Sequence, residues 1–312
     1  MQKLDGQLIT VLGGGGFLGR YVVQRLLARG ARVRVAQREP RAATFLKPLG
    51  GLGQTQFVVC DVRDPGSVAR AVQGSDAVIN LAGAFGDMQA VQADGAGHVA
   101  AAAKAAGASA LVHVSAIGAD PASASAYGRS KGDGEAAVRA GFADAAILRP
   151  SILFGREDHF INRFATMMRL SPVVPVIAPG AKFQPVSVGD VADAVVAALA
   201  GDAAGKTYEL GGPQVLTMRE LIELVCHATG RNRSLVDVPD AVASAMARLI
   251  GWLPGAPITW DQWLMLQRDN VVAEGVNGLD AFGITKTPIA AVAEGWLLAY
   301  RRHGRFAAKS PY

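Results

Sequence analysis

The chain has 312 residues, of which 50% are apolar and 18% charged, and its 31 Lys+Arg against 26 Asp+Glu leave a formal net charge of +5. These values exclude a disordered or polyelectrolyte chain and leave room for one or two packed domains. They also exclude a spanning helix, because no uncharged apolar run reaches the ~20 residues one requires, and Asp193 breaks the richest stretch, Val191 to Ala200.

In chain order, the apolar run Leu8 to Leu12 reads as a first strand. It is followed by Gly13-Gly14-Gly15-Gly16-Phe17-Leu18-Gly19, which opens a helix over Phe17 to Ala28. Gly13, Gly16 and Gly19 give the spacing G-x-x-G-x-x-G after a strand and before a helix. Glycines there let the backbone approach a pyrophosphate, whose charge sits on the free N–H groups of the helix start. A second strand, Val33 to Ala36, ends at Gln37 and Arg38, where an NAD site carries an acidic residue. A guanidinium suits a 2′-phosphate, so NADPH is favoured over NADH.

A helix over Arg41 to Lys47 and a strand over Phe57 to Cys60 lead to Asp61-Val62, where Asp61 reads either as a partner for an adenine amine or as a cap for the next helix, Ser67 to Val72, or turn. The strand Ala77 to Leu81 continues into Ala82 and Gly83, small residues that permit a ribose or close packing to pass. A helix over Met88 to Ala106 precedes the strand Ala110 to Ser115. Tyr127 and Lys131, in the helix Tyr127 to Ala140, are four residues apart and share a face. An ammonium beside a phenol lowers its pKa toward proton exchange with a carbonyl, and Ser115 can bond the same oxygen. Gly128, Gly132 and Gly134 weaken this helix intrinsically, so its surroundings must support it.

After the strand Ala146 to Leu148 the alternation breaks. A stretch with Pro172, Pro175, Pro179 and Pro185 is followed by helices from Val191, Met218 and Ala241 without regular strands between them. The expected architecture is therefore α/β, a doubly wound Rossmann-type parallel sheet in residues 1–150 with a smaller, mostly helical lobe in 151–312, some of whose segments return to the sheet. Trp252, Trp260 and Trp263, with Pro254 and Pro257, form a lobe core, a partner contact or a membrane-surface contact. The basic aromatic tail Tyr300 to Phe306 faces anionic headgroups, an acidic subunit or solvent. Cys60 and Cys226 and the scattered histidines lack disulfide or metal-ligand spacing, so no metal is expected. The pI near 9.4 comes without any nucleic-acid motif. The start Met1 to Gln7 carries no signal-like apolar region, which predicts a cytoplasmic chain.

Taken together, Gly13-x-x-Gly16-x-x-Gly19, Asp61-Val62, Leu81-Ala82-Gly83, Ser115, Tyr127-x-x-x-Lys131, Arg149-Pro150-Ser151-x-x-x-Gly155 and Pro185 to Val191 resemble the extended short-chain dehydrogenase/reductase superfamily. This resemblance implies a catalytic trio of Ser115, Tyr127 and Lys131, with Pro150, Ser151 and Ile152 lining a nicotinamide and Lys131 bonding its ribose. A narrower set, His113 to Asp120, Ser125 to Lys131, Asn162-Arg163-Phe164, Phe183 to Val186 and Arg268 to Val272, is similar to the atypical branch that contains the NADPH-binding accessory subunit of respiratory complex I and its bacterial relatives. That branch implies a largely structural NADPH, a vestigial trio, complex I subunits as partners and a peripheral place on the cytoplasmic face of the inner membrane. Two alternatives stand beside it: an active NAD(P)-dependent reductase or epimerase using the trio, and a dinucleotide-binding redox sensor.

Overall fold

Short aliphatic runs form the strands of one parallel sheet, the central ones buried on both faces. They are β1 (Leu8–Leu12), β2 (Arg32–Gln37), β3 (Thr55–Val59), β4 (Ala77–Asn80), β5 (Ala110–Val114) and β6 (Ala146–Pro150). A seventh, β7 (Thr207–Leu210), pairs with β6, so the order across the sheet is β7-β6-β5-β4-β1-β2-β3. The computed structural model describes residues 4–304 except Ala200, Pro254 and His303. The opening Met1 to Lys3 and the tail from Arg305 on lie outside the described residues.

The chain divides into two units. The first holds the chain through Pro150 with Val188–Leu210 and Val272–Thr285; the second holds Ser151–Ser187, Gly211–Val271 and the chain from Lys286. In the first unit the sheet carries α1 (Phe17–Ala28), α2 (Pro65–Val72), α3 (Gly95–Ala105), α4 (Ala126–Gly141) and α5 (Val188–Ala198). Strand order reverses between β1 and β4, where Leu12 pairs with Asn80, and ligands bind at the carboxyl ends of strands at such a point. Two predicted helices are less regular than expected. Arg41 to Lys47 lies in a 3-10 segment, Pro40–Leu49, that contains Pro48, and Met88 to Ala106 opens with a π-helical turn, Gln89–Asp94, before α3.

In the second unit, Phe154, Met168, Leu221, Val225 and Leu297 are buried together in a core drawn from the helices Phe160–Leu170, Met218–Thr229 and Ile289–Leu297 and adjoining segments. The helices from Val188, Met218 and Asp240, expected without regular strands between them, are separated by β7 and by Ser234–Val238, which pairs in parallel with Val173–Ile177 of the Pro-rich stretch. Pro175 is exposed in this two-stranded ribbon, and an open edge tolerates the missing N–H. The tryptophans near residue 260 are not buried: Trp260 stacks on Trp263 at 4.7 Å, and the Arg248 guanidinium lies 4.4 Å from its ring centroid. Leu249 and Trp252 are exposed, at 73% and 77%. Among the described residues no helix is long and apolar enough to cross a membrane.

The glycine-rich α4 is explained by close packing. A Cβ on Gly134 would collide with the Gln92 carbonyl oxygen, and one on Gly132 with the Pro121 backbone nitrogen. The Ser125 hydroxyl caps the helix start, accepting from the Gly128 N–H at 2.9 Å. Gly134→Ala is therefore expected to destabilise the protein by about 2–3 kcal/mol through overpacking against a backbone atom. Gly295→Ala, in a helix with nothing within 4 Å of the added methyl, should stabilise it by roughly 0.5–1 kcal/mol. Urea denaturation of the two variants checks both signs.

Candidate functional site

The loop after β1 runs close to the segment after β4. Gly13 has φ +79°, and a Cβ there would sit 3.3 Å from the Leu81 carbonyl carbon, so this position needs both glycine's freedom and its lack of volume. Gly19 packs α1 onto the backbone of Gly13 and Gly14, where a Cβ would collide. The start of α1 has no side-chain cap and no acidic residue in its first turn. Uncapped N–H groups and a loop free of side chains fit a pyrophosphate. Leu18 is buried and the Phe17 ring meets Tyr21 edge-on at 6.2 Å, so both hold the helix in place.

Gln37 supports this loop, accepting from the Gly15 N–H at 2.9 Å and donating to the Glu39 carbonyl at 2.7 Å. Arg38, one residue on, is exposed. Asp61 is held by Arg63, whose Nη2 donates at 2.7 Å and whose backbone N–H donates at 3.0 Å. The Arg63 bonds lower its carboxyl to about 2. Asp64, not Asp61, caps α2, accepting from the Gly66 N–H at 2.9 Å. The Val62 carbonyl lies 2.9 Å from His98 Nδ1.

Lys131 gathers the other segments. Its side chain is 5% exposed, and Nζ donates to the Val114 carbonyl at 3.4 Å, lies 5.9 Å from the Tyr127 ring centroid and would be 3.8 Å from a Cβ on Gly83. Burial lowers the ammonium to about 8, against the pull of Glu135. Ser115 follows Val114, and its buried Oγ has no partner among the described residues. Such an orphaned hydroxyl fits a site that binds a polar ligand atom. Tyr127 differs from the expectation that the ammonium would ease its ionisation: burial pushes the phenol up to about 12. Phe85 stacks on its ring at 5.3 Å.

Several polar residues here escaped the sequence reading of the site. Asn80 accepts from the Ala82 N–H at 3.1 Å, so its Nδ2 donates to His113 Nδ1 at 3.1 Å and places the imidazole proton on Nε2. His113 Nε2 is buried without a partner, and burial beside the Lys131 charge drops this histidine to about 3, which keeps it neutral. Glu135, one turn beyond Lys131, accepts from Arg149 Nε at 2.8 Å and Nη2 at 2.7 Å, and Arg149 Nη1 lies 3.5 Å from Glu209. The spacing Tyr127, Lys131, Glu135 carried a signal for the last of these, since all three are four residues apart on one helix.

Pro150 ends β6, and its carbonyl accepts from the Ile117 N–H at 3.1 Å. Ser151 and Ile152 belong to the second unit, where Ser151 Oγ donates to Asn270 Oδ1 at 2.6 Å and that same oxygen accepts from the Ile152 N–H at 3.2 Å. The Ser151 hydroxyl is thus engaged within its own unit.

Residues 9–211 match the model described as the NAD dependent epimerase/dehydratase family. A relative from Rattus norvegicus, NADH dehydrogenase (ubiquinone) 1 alpha subcomplex subunit 9, mitochondrial, is 37% identical, covering 92% of this chain and 78% of its own. The ceramide reductase of Caulobacter vibrioides is 30% identical and covers 78% of each chain. Among solved structures, the dTDP-glucose 4,6-dehydratase DesIV from Streptomyces venezuelae with NAD bound gives a TM-score of 0.65 at 26% identity, covering 74% of this chain and 84% of its own.

The low Lys131 value makes a signed prediction. The folded chain releases this proton near pH 8, whereas an unfolded lysine holds it to its ordinary 10.5. The unfolded state therefore binds more protons in that window, and stability rises with pH across it; below pH 8 the cost is present in full. Relative to Lys131→Met, the protein should gain roughly 2–3 kcal/mol between pH 8 and 10. Urea melts of both proteins across that range measure the difference, and parallel curves would refute it.

Proposed function

The chain belongs to the NAD dependent epimerase/dehydratase family, and from that premise we propose that it is an NADPH-binding accessory or assembly subunit of respiratory complex I in which the cofactor is largely structural. The observation that carries this reading is the reach of the likeness to the complex I subunit. It covers 92% of the chain, so it extends beyond residues 9–211, the part shared with the whole family. In this reading Gly13, Gly16, Gly19 and the start of α1 hold the pyrophosphate, Arg38 meets the 2′-phosphate, and Lys131 and Ser115 bond the nicotinamide half. The dinucleotide supplies hydride chemistry when bound. The chain's own residues are poorly set for using it, because burial holds the Tyr127 phenol at about 12, far from the value at which it exchanges a proton readily near neutral pH. The exposed apolar run of Leu249, Ile250, Trp252 and Leu253 supports contact with complex I subunits or a membrane surface.

A second reading, an active reductase or epimerase, rests on the retained side chains of Ser115, Tyr127 and Lys131 and on the likeness to a reductase.

Gly16→Asp is expected to empty the dinucleotide site and lower the amount of assembled complex I, while Tyr127→Phe leaves both bound dinucleotide and assembly unchanged. Mass spectrometry of gently purified protein and native gels of the source membranes read the two effects. Loss of respiration in Tyr127→Phe with dinucleotide still bound would favour the second reading. Separately, Arg38→Ala should weaken NADPH binding by about tenfold while changing NADH binding little, as loss of a guanidinium–phosphate contact implies; calorimetric titration with both nucleotides tests this.

A further inference from the structure

The second unit contains a cavity of about 600 Å³ lined by Arg219, Glu223, Cys226, His227, Arg231 and Arg233, among others. Two of its arginines are fixed at the root: Arg231 Nε donates to the Tyr300 carbonyl at 2.8 Å and Arg233 Nε to the Met168 carbonyl at 2.7 Å. Neither guanidinium has a carboxylate at ion-pair distance among the described residues. The one carboxylate that lines the cavity, Glu223, faces Arg219 and leaves Arg231 and Arg233 uncompensated. Arg219 pairs with Asp237 and lies 3.5 Å from Glu223, and Arg301 lies 3.5 Å from Glu294.

Positive charge therefore accumulates at this cavity. Burial, and then repulsion from Arg233, Arg169 and Arg302, hold the Arg231 guanidinium below its ordinary value. Arg233 Nη1 also donates to the Asn232 carbonyl at 3.4 Å, but guanidinium forks anchored through Nε keep outer N–H groups for a planar or tetrahedral oxyanion, and phosphate satisfies two such forks best. The Ser234 N–H donates to the Pro172 carbonyl at 3.1 Å, which lays Arg233 and Ser234 beside a segment with Leu170 76% and Val173 46% exposed.

We propose that this arginine cavity is a phosphate-binding site, separate from the dinucleotide loop, that takes the phosphate of a phosphate ester. The ester is either an anionic phospholipid headgroup, for which the exposed Leu170 and Val173 on the adjoining segment would face the acyl region, or a soluble compound of the same chemistry. The site does not depend on the dinucleotide reading.

The full-length protein can be tested by co-flotation with phosphatidylcholine vesicles with and without phosphatidic acid, and by calorimetric titration with glycerol 3-phosphate. Binding in either arm, weakened about tenfold or more in Arg231→Ala/Arg233→Ala, is the expected result. Vesicle binding alone assigns the lipid headgroup, and glycerol 3-phosphate binding assigns a soluble ester. Arg32→Ala/Lys104→Ala removes the same charge from exposed positions in the first unit and should leave binding within about twofold, which separates the site from the overall basic charge of the protein. Because the double variant also loses three side-chain bonds to backbone carbonyls, Arg169→Glu serves as a second test on an exposed side chain and should weaken binding in the same arm. No binding in either arm, or equal losses in the first-unit control, would overturn the proposal.

Discussion

An ammonium buried at the carboxyl end of a parallel sheet organises the first unit. Lys131 is 5% exposed, and a charge so placed needs a counter-charge that is itself compensated. Glu135 supplies it from the next turn of α4, Arg149 on β6 answers Glu135 with two bonds at 2.8 and 2.7 Å, and Glu209 on β7 stands 3.5 Å from Arg149. The alternation ends where Glu209 Oε2 accepts from the Ala273 N–H at 2.9 Å and the Glu209 N–H donates to the Asn277 carbonyl at 3.0 Å. Removing one member strands its neighbour, on the order of 3 kcal/mol for a buried pair. This is a physical reason for β7 and the segment Val272–Thr285 to belong to a unit whose other strands all lie within the first 150 residues.

The same end of the sheet is built by removing side chains. At the β1–β4 switch point, Gly13 lets the backbone of Leu81 pass within contact distance, and Gly19 seats α1 on the loop. On the far side, Gly134 brings α4 against the Gln92 carbonyl. Helices weakened by glycine are held because the approach of bare backbone surfaces adds packing that a Cβ would prevent. Local propensity and tertiary packing conflict in α4, and packing wins.

The sheet was legible because its central strands are buried on both faces and read as uninterrupted apolar runs, and because the loop from Gly13 to Gly19 falls between a strand and a helix. β7 was not, since Thr207, Tyr208, Glu209 and Leu210 mix polar and apolar residues and the strand is reached only after a long excursion through the second unit. The strand Val173–Ile177 was hidden by Pro175, which reads as a breaker unless the ribbon has an open edge. In the site, spacing placed Tyr127 and Lys131 on one face, yet spacing carries no information about burial, and burial reverses the expected shift of the phenol. Asn80 and His113 were invisible for a related reason: their contact comes from strand register, Asn80 opposite His113, between residues 33 apart in sequence.

The protonation pattern bears on whether such a site holds or converts what it binds. A phenol at about 12 and an imidazole at about 3 lie far on either side of neutral pH, so neither group exchanges protons there at little cost, and only Lys131, at about 8, titrates nearby. Holding a ligand asks for something else: fixed donors, a loop without side chains and a cost in the empty fold that a ligand can offset. The buried ammonium costs roughly 3 kcal/mol at neutral pH, and a ligand present at a thousand times its Kd returns about 4 kcal/mol to the folded state. The two are of one size. A ligand held by the folded site can therefore offset the cost of burying the Lys131 ammonium.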